Sequence, residues 1–358
     1  MNRVLGFFIF LFVFLAAYLG MHFYVFTRLG GLLAIRRTLA FYLVMVFVAI
    51  LFPTASIAER YFDGSFLRAI YAVSAAWLGI LFFALVALVF YEIFHLFVKT
   101  QSRVTGIVII AIVTLVSLYA IVNAMFINVK TFEIPIANLD KPVSIVQISD
   151  LHIGTIHNSA YLENVVKKVN GLNPDMVLIT GDLVDGTGPL NLKSLLPLKE
   201  LKPKSFFTTG NHEQYEGVDK VIVLVRQTGV QILRDEIADY QGIQIVGIDN
   251  PVAEFAKSNA VIEKMQIDKS KPTVLMFHPP QGLSEANKAG VDLQLSGHTH
   301  NGQIFPFNFL VKLFYPMVKG LYNVNGTYLY TSPGTGTWGP PMRLGSRNEI
   351  TVIRLVPK

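Results

Sequence analysis

The 358-residue sequence contains no cysteine, only two tryptophans, and charged residues at just 15% of its positions. The first absence excludes structural disulfides, although a cysteine-free chain fits a reducing or an oxidising compartment equally well. No P-loop, internal repeat or low-complexity tract is present. The formal net charge is +6, yet no Lys/Arg-rich block or aromatic–basic motif accompanies it, so nucleic acid is not an expected partner. Arginines at the edges of apolar runs account for much of the excess.

The shortage of charge is concentrated in the first third of the chain. Residues 4–26, "VLGFFIFLFVFLAAYLGMHFYVF", carry no formal charge. A hydrocarbon core of ~30 Å needs ~20 helical residues, so this run is long enough to cross. Similar runs follow at about 38–58, broken by Pro53, at 69–91 and at 104–126, which makes region 1–127 an expected bundle of four transmembrane α-helices. A cleaved signal peptide is disfavoured because the first run is long, lacks a small-residue cleavage site and is followed by further spans. A buried soluble core is disfavoured because uncharged runs of this length seldom occur in soluble folds.

Four crossings place both termini on one side of the membrane. Arg28, Arg36, Arg37, Lys99 and Arg103 in the first and third loops face Arg3, Arg60, Arg68 and Lys130 on the other side, and five against four does not decide which side is cytoplasmic. The ionisable residues His22, Glu92 and His95 lie near span ends, so an anchor fits better than a transport path.

From about residue 128 the composition becomes that of a soluble domain. Residues 128–142, including the turn-prone "PIANLDKP", are expected as a linker, and 143–358 as the domain. Short apolar runs recur there and end in polar residues: "VSIVQISDLH", "DMVLITGDLVD", "SFFTTGNHE", "IQIVGIDN", "TVLMFHPP" and "DLQLSGHTH". Near-continuous apolar strands point to sheets covered on both faces. Helical patterns lie between them, from Ser159 and from Val218, with Ser159 and Gly217 as expected N-caps and Gly171 and Gly229 as expected stops. Strand, polar loop, helix, strand predicts a layered α/β domain, whose sites fall at the C-terminal ends of strands.

Five strand ends carry residues with metal-ligand chemistry: Asp150 and His152, Asp182, Asn211 and His212, His278, and His298 with His300. Of six histidines after residue 130, only His157 lies outside these clusters. In an extended strand, Asp150 and His152 point to one face and reach one cation, and "GHTH" repeats that spacing with two imidazoles. Two ions ~3.5–4 Å apart repel, and a shared carboxylate offsets that repulsion, a role for which Asp182 is the candidate. Asn211 offers a neutral oxygen compatible with a hard or borderline ion. Gly297 and Gly302 let the backbone turn and approach closely.

The order Asp-x-His, Gly-Asp-x-x-Asp, Gly-Asn-His-Glu, His, Gly-His-x-His resembles the calcineurin-like metallophosphoesterase superfamily, over roughly 143–356. The four spans and "GHTHNGQ" resemble a membrane-associated branch of it. The resemblance implies a four-layer α/β/β/α sandwich with two mixed β-sheets. It implies that Asp150, His152, Asp182 and His300 hold one metal, and that Asp182, Asn211, His278 and His298 hold the other. His212 would contact substrate and act as general acid in hydrolysis by metal-activated hydroxide.

Asp185 and Glu213 are candidates for orienting His212, and Arg343 for holding a phosphate or lipid headgroup. Mixed His/Asp/Asn shells suit Mn, Fe, Zn or Co, availability in the cell deciding among them, and Mn is the first expectation. Residues 304–322, "IFPFNFLVKLFYPMVKGLY", follow the last histidine motif and are expected to touch the bilayer or guide an acyl chain. A phospholipid or lipid-linked pyrophosphate is therefore the expected substrate. Some membrane-associated relatives resemble UDP-2,3-diacylglucosamine hydrolases, a case that requires a cytoplasmic domain. The competing readings are a non-catalytic metal-binding sensor or scaffold, and a tethered phosphodiesterase acting on soluble nucleotides.

Overall fold

A computed structural model describes residues 3–62, 64–186, 188–250 and 255–358. The chain divides into two units, residues 1–122 and 123–358. The first holds helices α1 (Arg3–Leu32), α2 (Leu39–Ala58), α3 (Ser65–Phe97) and most of α4 (Ser102–Ala124). Each is long and apolar enough to cross a membrane. Pro53 does not break α2, contrary to the sequence expectation. Its missing N–H leaves the Ala49 carbonyl without a helical partner, and the Tyr18 hydroxyl donates to that oxygen at 2.7 Å. Arg28 pairs with Glu92, and His22 Nδ1 lies 2.9 Å from the Tyr18 carbonyl, so these polar groups serve contacts inside the unit.

The second unit is built on two six-stranded sheets. The first runs in the order β1 (Ile127–Ile136), β12 (Asn348–Pro357), β2 (Val143–Ile148), β3 (Met176–Thr180), β4 (Lys204–Thr208), β5 (Gln231–Ile232). The second runs β10 (Gly320–Val324), β11 (Thr327–Thr331), β9 (Leu293–Ser296), β8 (Thr273–Met276), β7 (Ile243–Gly247), β6 (Glu236–Tyr240). Both are mixed: β12 is antiparallel to β2, and β10 and β6 are antiparallel to their neighbours, while the central strands are parallel.

Residues 127–136, expected largely as linker, form β1 instead and pair in parallel with β12 from Ile127 to Ile136. Its alternation places Ile134 and Ile136 inside, and an edge strand tolerates Pro135 because only one side of it is paired.

Alternation along the strands also creates the layers. Val143 and Ile145 of β2, Met176 and Leu178 of β3, and Ile353 and Leu355 of β12 meet Ile245, Met276 and Leu295 from the second sheet. The opposite faces turn outward. Val146, Ile148, Val177 and Ile179 pack beneath α5 (Ser159–Gly171) and α8 (Val218–Arg226). On the other side Val246 and Leu275 pack beneath α9 (Phe255–Lys264) and α10 (Leu283–Ala289). The result is the expected four-layer α/β/β/α arrangement, in which each fully buried aliphatic side chain contributes on the order of 1.5–3 kcal/mol. The unit also contains α6 (Leu192–Leu195), α7 (Asn211–Glu216) and α11 (Phe307–Phe314).

The N-cap of α5 is Asn158 rather than Ser159; its side-chain oxygen accepts from the Ala160 and Tyr161 amides at 3.0 and 3.2 Å. Gly217 precedes α8 and Gly171 ends α5 as expected, and Gly229 follows α8 with φ +85°.

Candidate metal centre

The five polar clusters leave the C-terminal ends of β2, β3, β4, β8 and β9, so both sheets contribute to one site. Asp150 and His152 do not lie in an extended strand. Their φ values are 52° and 49°, and Asp182, His298 and His300 are also left-handed at 49°, 70° and 48°. Such conformations cost of order 1–3 kcal/mol each and persist where the surroundings over-determine them. Here the Asp150 and His152 amides donate to the carbonyls of Gly181 and Asp182, both at 3.1 Å, and the His298 amide donates to Asp150 Oδ1 at 2.9 Å. The i, i+2 spacing therefore works through a kink that folds both side chains inward. Gly297 allows this approach: a Cβ there would lie 2.1 Å from Asp150 Oδ2.

Among the described residues, the side chains form three close groups, one of which, His152, Asp185 and His212, shares His152 with another. Asp150, His152 and His300 converge, as do Asp182, His278 and His298, and within each trio the ligand atoms lie within 4.8 Å of one another. His152 Nε2 and His300 Nε2 are 3.0 Å apart, and His300 Nε2 is 3.4 Å from Asp150 Oδ1. Asp182 Oδ2 lies 3.0 Å from His278 Nε2 and 4.0 Å from His152 Nε2, so one carboxylate reaches both groups. Asn211 joins the second: its Oδ1 is 2.9 Å from His298 Nδ1. Nitrogen and carboxylate or amide oxygen donors, with carboxylates at the centre, suit divalent transition ions.

The surrounding residues have roles that differ in part from those expected. His212 Nδ1–H donates to the Asp185 carbonyl oxygen at 2.6 Å, not to a carboxylate, which leaves Nε2 as the free ring atom. The Asp185 carboxylate sits instead 3.3 Å from His152 Nδ1. Glu213 does not touch His212 through its side chain; its carboxylate accepts from the backbone amides of Asp182, Val184 and Gly210 and so shapes the Asp182 loop.

Arg343 is fully buried and cannot clasp a headgroup. Its guanidinium donates to the His300 carbonyl at 3.0 Å, faces His300 Nδ1 at 3.2 Å, and bonds Asn348 Oδ1, Ser346 Oγ and the Gly336 carbonyl. Its place is behind the His300 loop. His157 is a buried structural histidine that accepts from the Thr337 amide. Tyr315, inside the 304–322 segment but not singled out by the sequence, places its hydroxyl 2.9 Å from His298 Nε2.

Burial pushes the Asp150 carboxyl up. Burial pushes Asp182 the same way, but the imidazoles of His278, His212 and His152 hold it well below the usual carboxylate range. Burial alone would lower His278, yet Asp182 and Asp150 raise it to about 10. His298 is driven down to about 3 by burial, so its ring is neutral at pH 7, and burial lowers His300 and His212 as well.

His278 makes metal binding depend on pH. Its Nδ1–H is committed to the Thr180 carbonyl at 2.8 Å, so the proton a cation must displace is on Nε2. Below pH ~10 the free site carries that proton, and metal affinity should rise by about tenfold per pH unit toward that value. Calorimetry of Mn binding in buffers of different ionisation enthalpy should register about one proton released; no release between pH 7 and 9 would show that the His278–Asp182 pair is not part of the site.

A family model of calcineurin-like phosphoesterases matches residues 143–302. An uncharacterized metallophosphoesterase of Aquifex aeolicus is 30% identical over 262 residues, covering 69% of this chain and 98% of that one. The chain belongs to the calcineurin-like metallophosphoesterase family. An uncharacterized metallophosphoesterase of Helicobacter pylori strain J99 is 38% identical over 238 residues, 64% of each chain. A transmembrane protein with metallophosphoesterase domain from Danio rerio is 34% identical over 279 residues, 71% of this chain and 63% of that one. The alignments with these last two thus span just under two thirds of the relatives' own length. The metallophosphoesterase domain follows, in the chain, four helices long and apolar enough to cross a membrane, which together with the transmembrane relative point to a membrane protein.

Proposed function

We propose that the metallophosphoesterase domain hydrolyses a phosphodiester or pyrophosphate bond with two divalent cations, Mn first among Mn, Fe, Zn and Co, and that the four helices anchor it as a multi-pass protein. The reach of Asp182 into both histidine groups carries this reading. Asp150, His152, Asp182 and His300 would hold one ion, and Asp182, Asn211, His278 and His298 the other, with Asp182 shared. Divalent cations, when bound, supply Lewis acidity toward phosphoryl oxygens and lower the pKa of water toward ~7.

The chain's own residues supply the rest. His212 is fixed through Nδ1 by the Asp185 carbonyl, so its transferable proton, when present, is on Nε2, where it can pass to the leaving oxygen. Glu213 holds the Asp182 loop, and Arg343 supports the His300 loop from behind.

The substrate we favour is a lipid or lipid-linked phosphoester, with UDP-2,3-diacylglucosamine as one concrete type. Support comes from the apolar rim. Tyr215 and Trp338 lie edge-on to His212 at 5.0 and 5.9 Å between ring centres, and both are more than half exposed. Tyr315 stands against His298 in the same manner at 5.1 Å. Aromatic faces beside a phosphoryl site fit acyl or nucleobase groups attached to the phosphate.

The test is to purify the full chain in detergent with Mn and assay a soluble phosphodiester reporter beside a panel of phospholipids, lipid-linked pyrophosphates and nucleotides. Turnover of the lipid substrates with kcat/KM above that of the reporter supports the proposal. Turnover of nucleotides alone would make the protein a tethered soluble-substrate phosphodiesterase, and metal binding without any turnover would make it a sensor or scaffold.

A further inference from the structure

Helix α11 (Phe307–Phe314) is unlike the other helices of its unit. None of its eight residues is buried, although six of them are apolar. Among the described residues from 127 onward, thirteen large hydrophobic side chains are exposed, and six of these fall between Phe305 and Phe314. Phe309 is 61% exposed, Leu313 76% and Phe314 71%. So dense a patch on a folded domain marks a surface that meets another apolar phase.

The patch is fastened to the metal centre at both ends. At its start the backbone rests on the turn that carries His300: a Cβ on Gly302 would lie 2.3 Å from Asn308 Cα. Just past its end, the Tyr315 hydroxyl lies 2.9 Å from His298 Nε2. The segment that displays the apolar side chains therefore also frames the two histidines of the "GHTH" loop.

We propose that α11 lies in the interfacial plane of the bilayer and holds the mouth of the metal centre at the level of the lipid phosphates. Eight residues rise about 12 Å, far short of the ~20 residues a crossing needs, so the helix can lie in a membrane surface but not span it. Its occupant is the bilayer rather than a second protein for two reasons. The helix α4 ends at Ala124 and β1 starts at Ile127, so only Met125 and Phe126 separate the last apolar helix from the domain, a leash on the order of 10 Å. Lys312, on the helix, is exposed, and a lysine there sets its apolar stem among lipid tails and its ammonium among anionic headgroups. The docking does not depend on which phosphoester is cleaved; delivery of a lipid phosphate to the histidines without leaving the membrane rests on the lipid reading above.

The absence of cysteine makes the test direct. Leu313→Cys and, as reference, Val223→Cys on α8, 55% exposed, would each be nitroxide-labelled in the full chain and reconstituted into phosphatidylcholine/phosphatidylglycerol vesicles. Paramagnetic-relaxation power saturation with oxygen and with a water-soluble nickel complex then gives the depth of each label. The expected result is a Leu313 label ~5–10 Å below the phosphates, rich in oxygen collisions and poor in nickel, with the Val223 label in water. A Leu313 label as open to nickel as Val223 would overturn the proposal. So would a Leu313 label shielded from both reagents, or one broadened by a label on a second copy, since either would place protein on the helix. Because the readout is depth, a chain that docks but cleaves no lipid remains distinguishable from one that does not dock.

Discussion

Asp182→Asn should lose both metal ions and, with them, more than about 100-fold in kcat/KM toward a soluble phosphodiester. About 100-fold is the upper end for losing a residue that merely supports a ligand. Asp182 Oδ2 is the oxygen that reaches His278 Nε2 at 3.0 Å and His152 Nε2 at 4.0 Å, and an amide there removes the charge that offsets two neighbouring cations. The fold should survive, because the substituted side chain keeps an oxygen able to accept from the His212 amide, as Asp182 Oδ1 does at 2.9 Å. Asp150→Asn is the comparison: Asp150 belongs to the His152–His300 group, so that variant should lose one ion in preference to the other. Elemental analysis of folded, purified protein reads both. Two ions retained in Asp182→Asn would remove the shared-carboxylate assignment.

His212→Asn is expected to behave in the opposite way, binding metal as the parent does while turning over about 10²–10⁴-fold more slowly. Its ring stands edge-on to His152 at 4.5 Å, next to the histidines proposed to hold metal, but its Nδ1 is committed to the Asp185 carbonyl. The loss should be largest for alkoxide leaving groups, which need a proton, and smallest for a nitrophenolate, which does not. A uniform loss across leaving groups, or a metal content that falls along with activity, would show that His212 is a ligand or a packing residue rather than the acid.

The contrast between these residues shows what a sequence can reveal about such a site. Asp150, His152, Asp182, Asn211, His278, His298 and His300 were legible because each follows an apolar strand, and strand ends on one edge of packed sheets must come together. The way they converge was not legible. Left-handed backbone at five non-glycine positions is set by hydrogen bonds to loops distant in sequence, such as Asp150 to Gly181, and no local pattern announces them.

The same holds for the supporting residues. Arg343 resembles a surface headgroup clamp until the fold buries it behind His300, and Glu213, adjacent to His212 in sequence, turns toward the Asp182 loop because a helix begins there. Residues 128–142 read as linker because of the turn-prone "PIANLDKP"; the pairing that makes 127–136 a strand lies more than two hundred residues away in β12. Apolar runs long enough to cross a membrane were readable at once, since length and charge alone define them. Their passage through Pro53 was not, since it depends on Tyr18 from another helix.

Mn spectroscopy of the full chain tests most directly whether the Asp182 carboxylate joins two cations. Protein loaded with Mn and freed of excess should contain two ions per chain, and its low-temperature electron paramagnetic resonance should show an exchange-coupled pair. One ion per chain, or two that give only the six-line signal of isolated Mn, would contradict it.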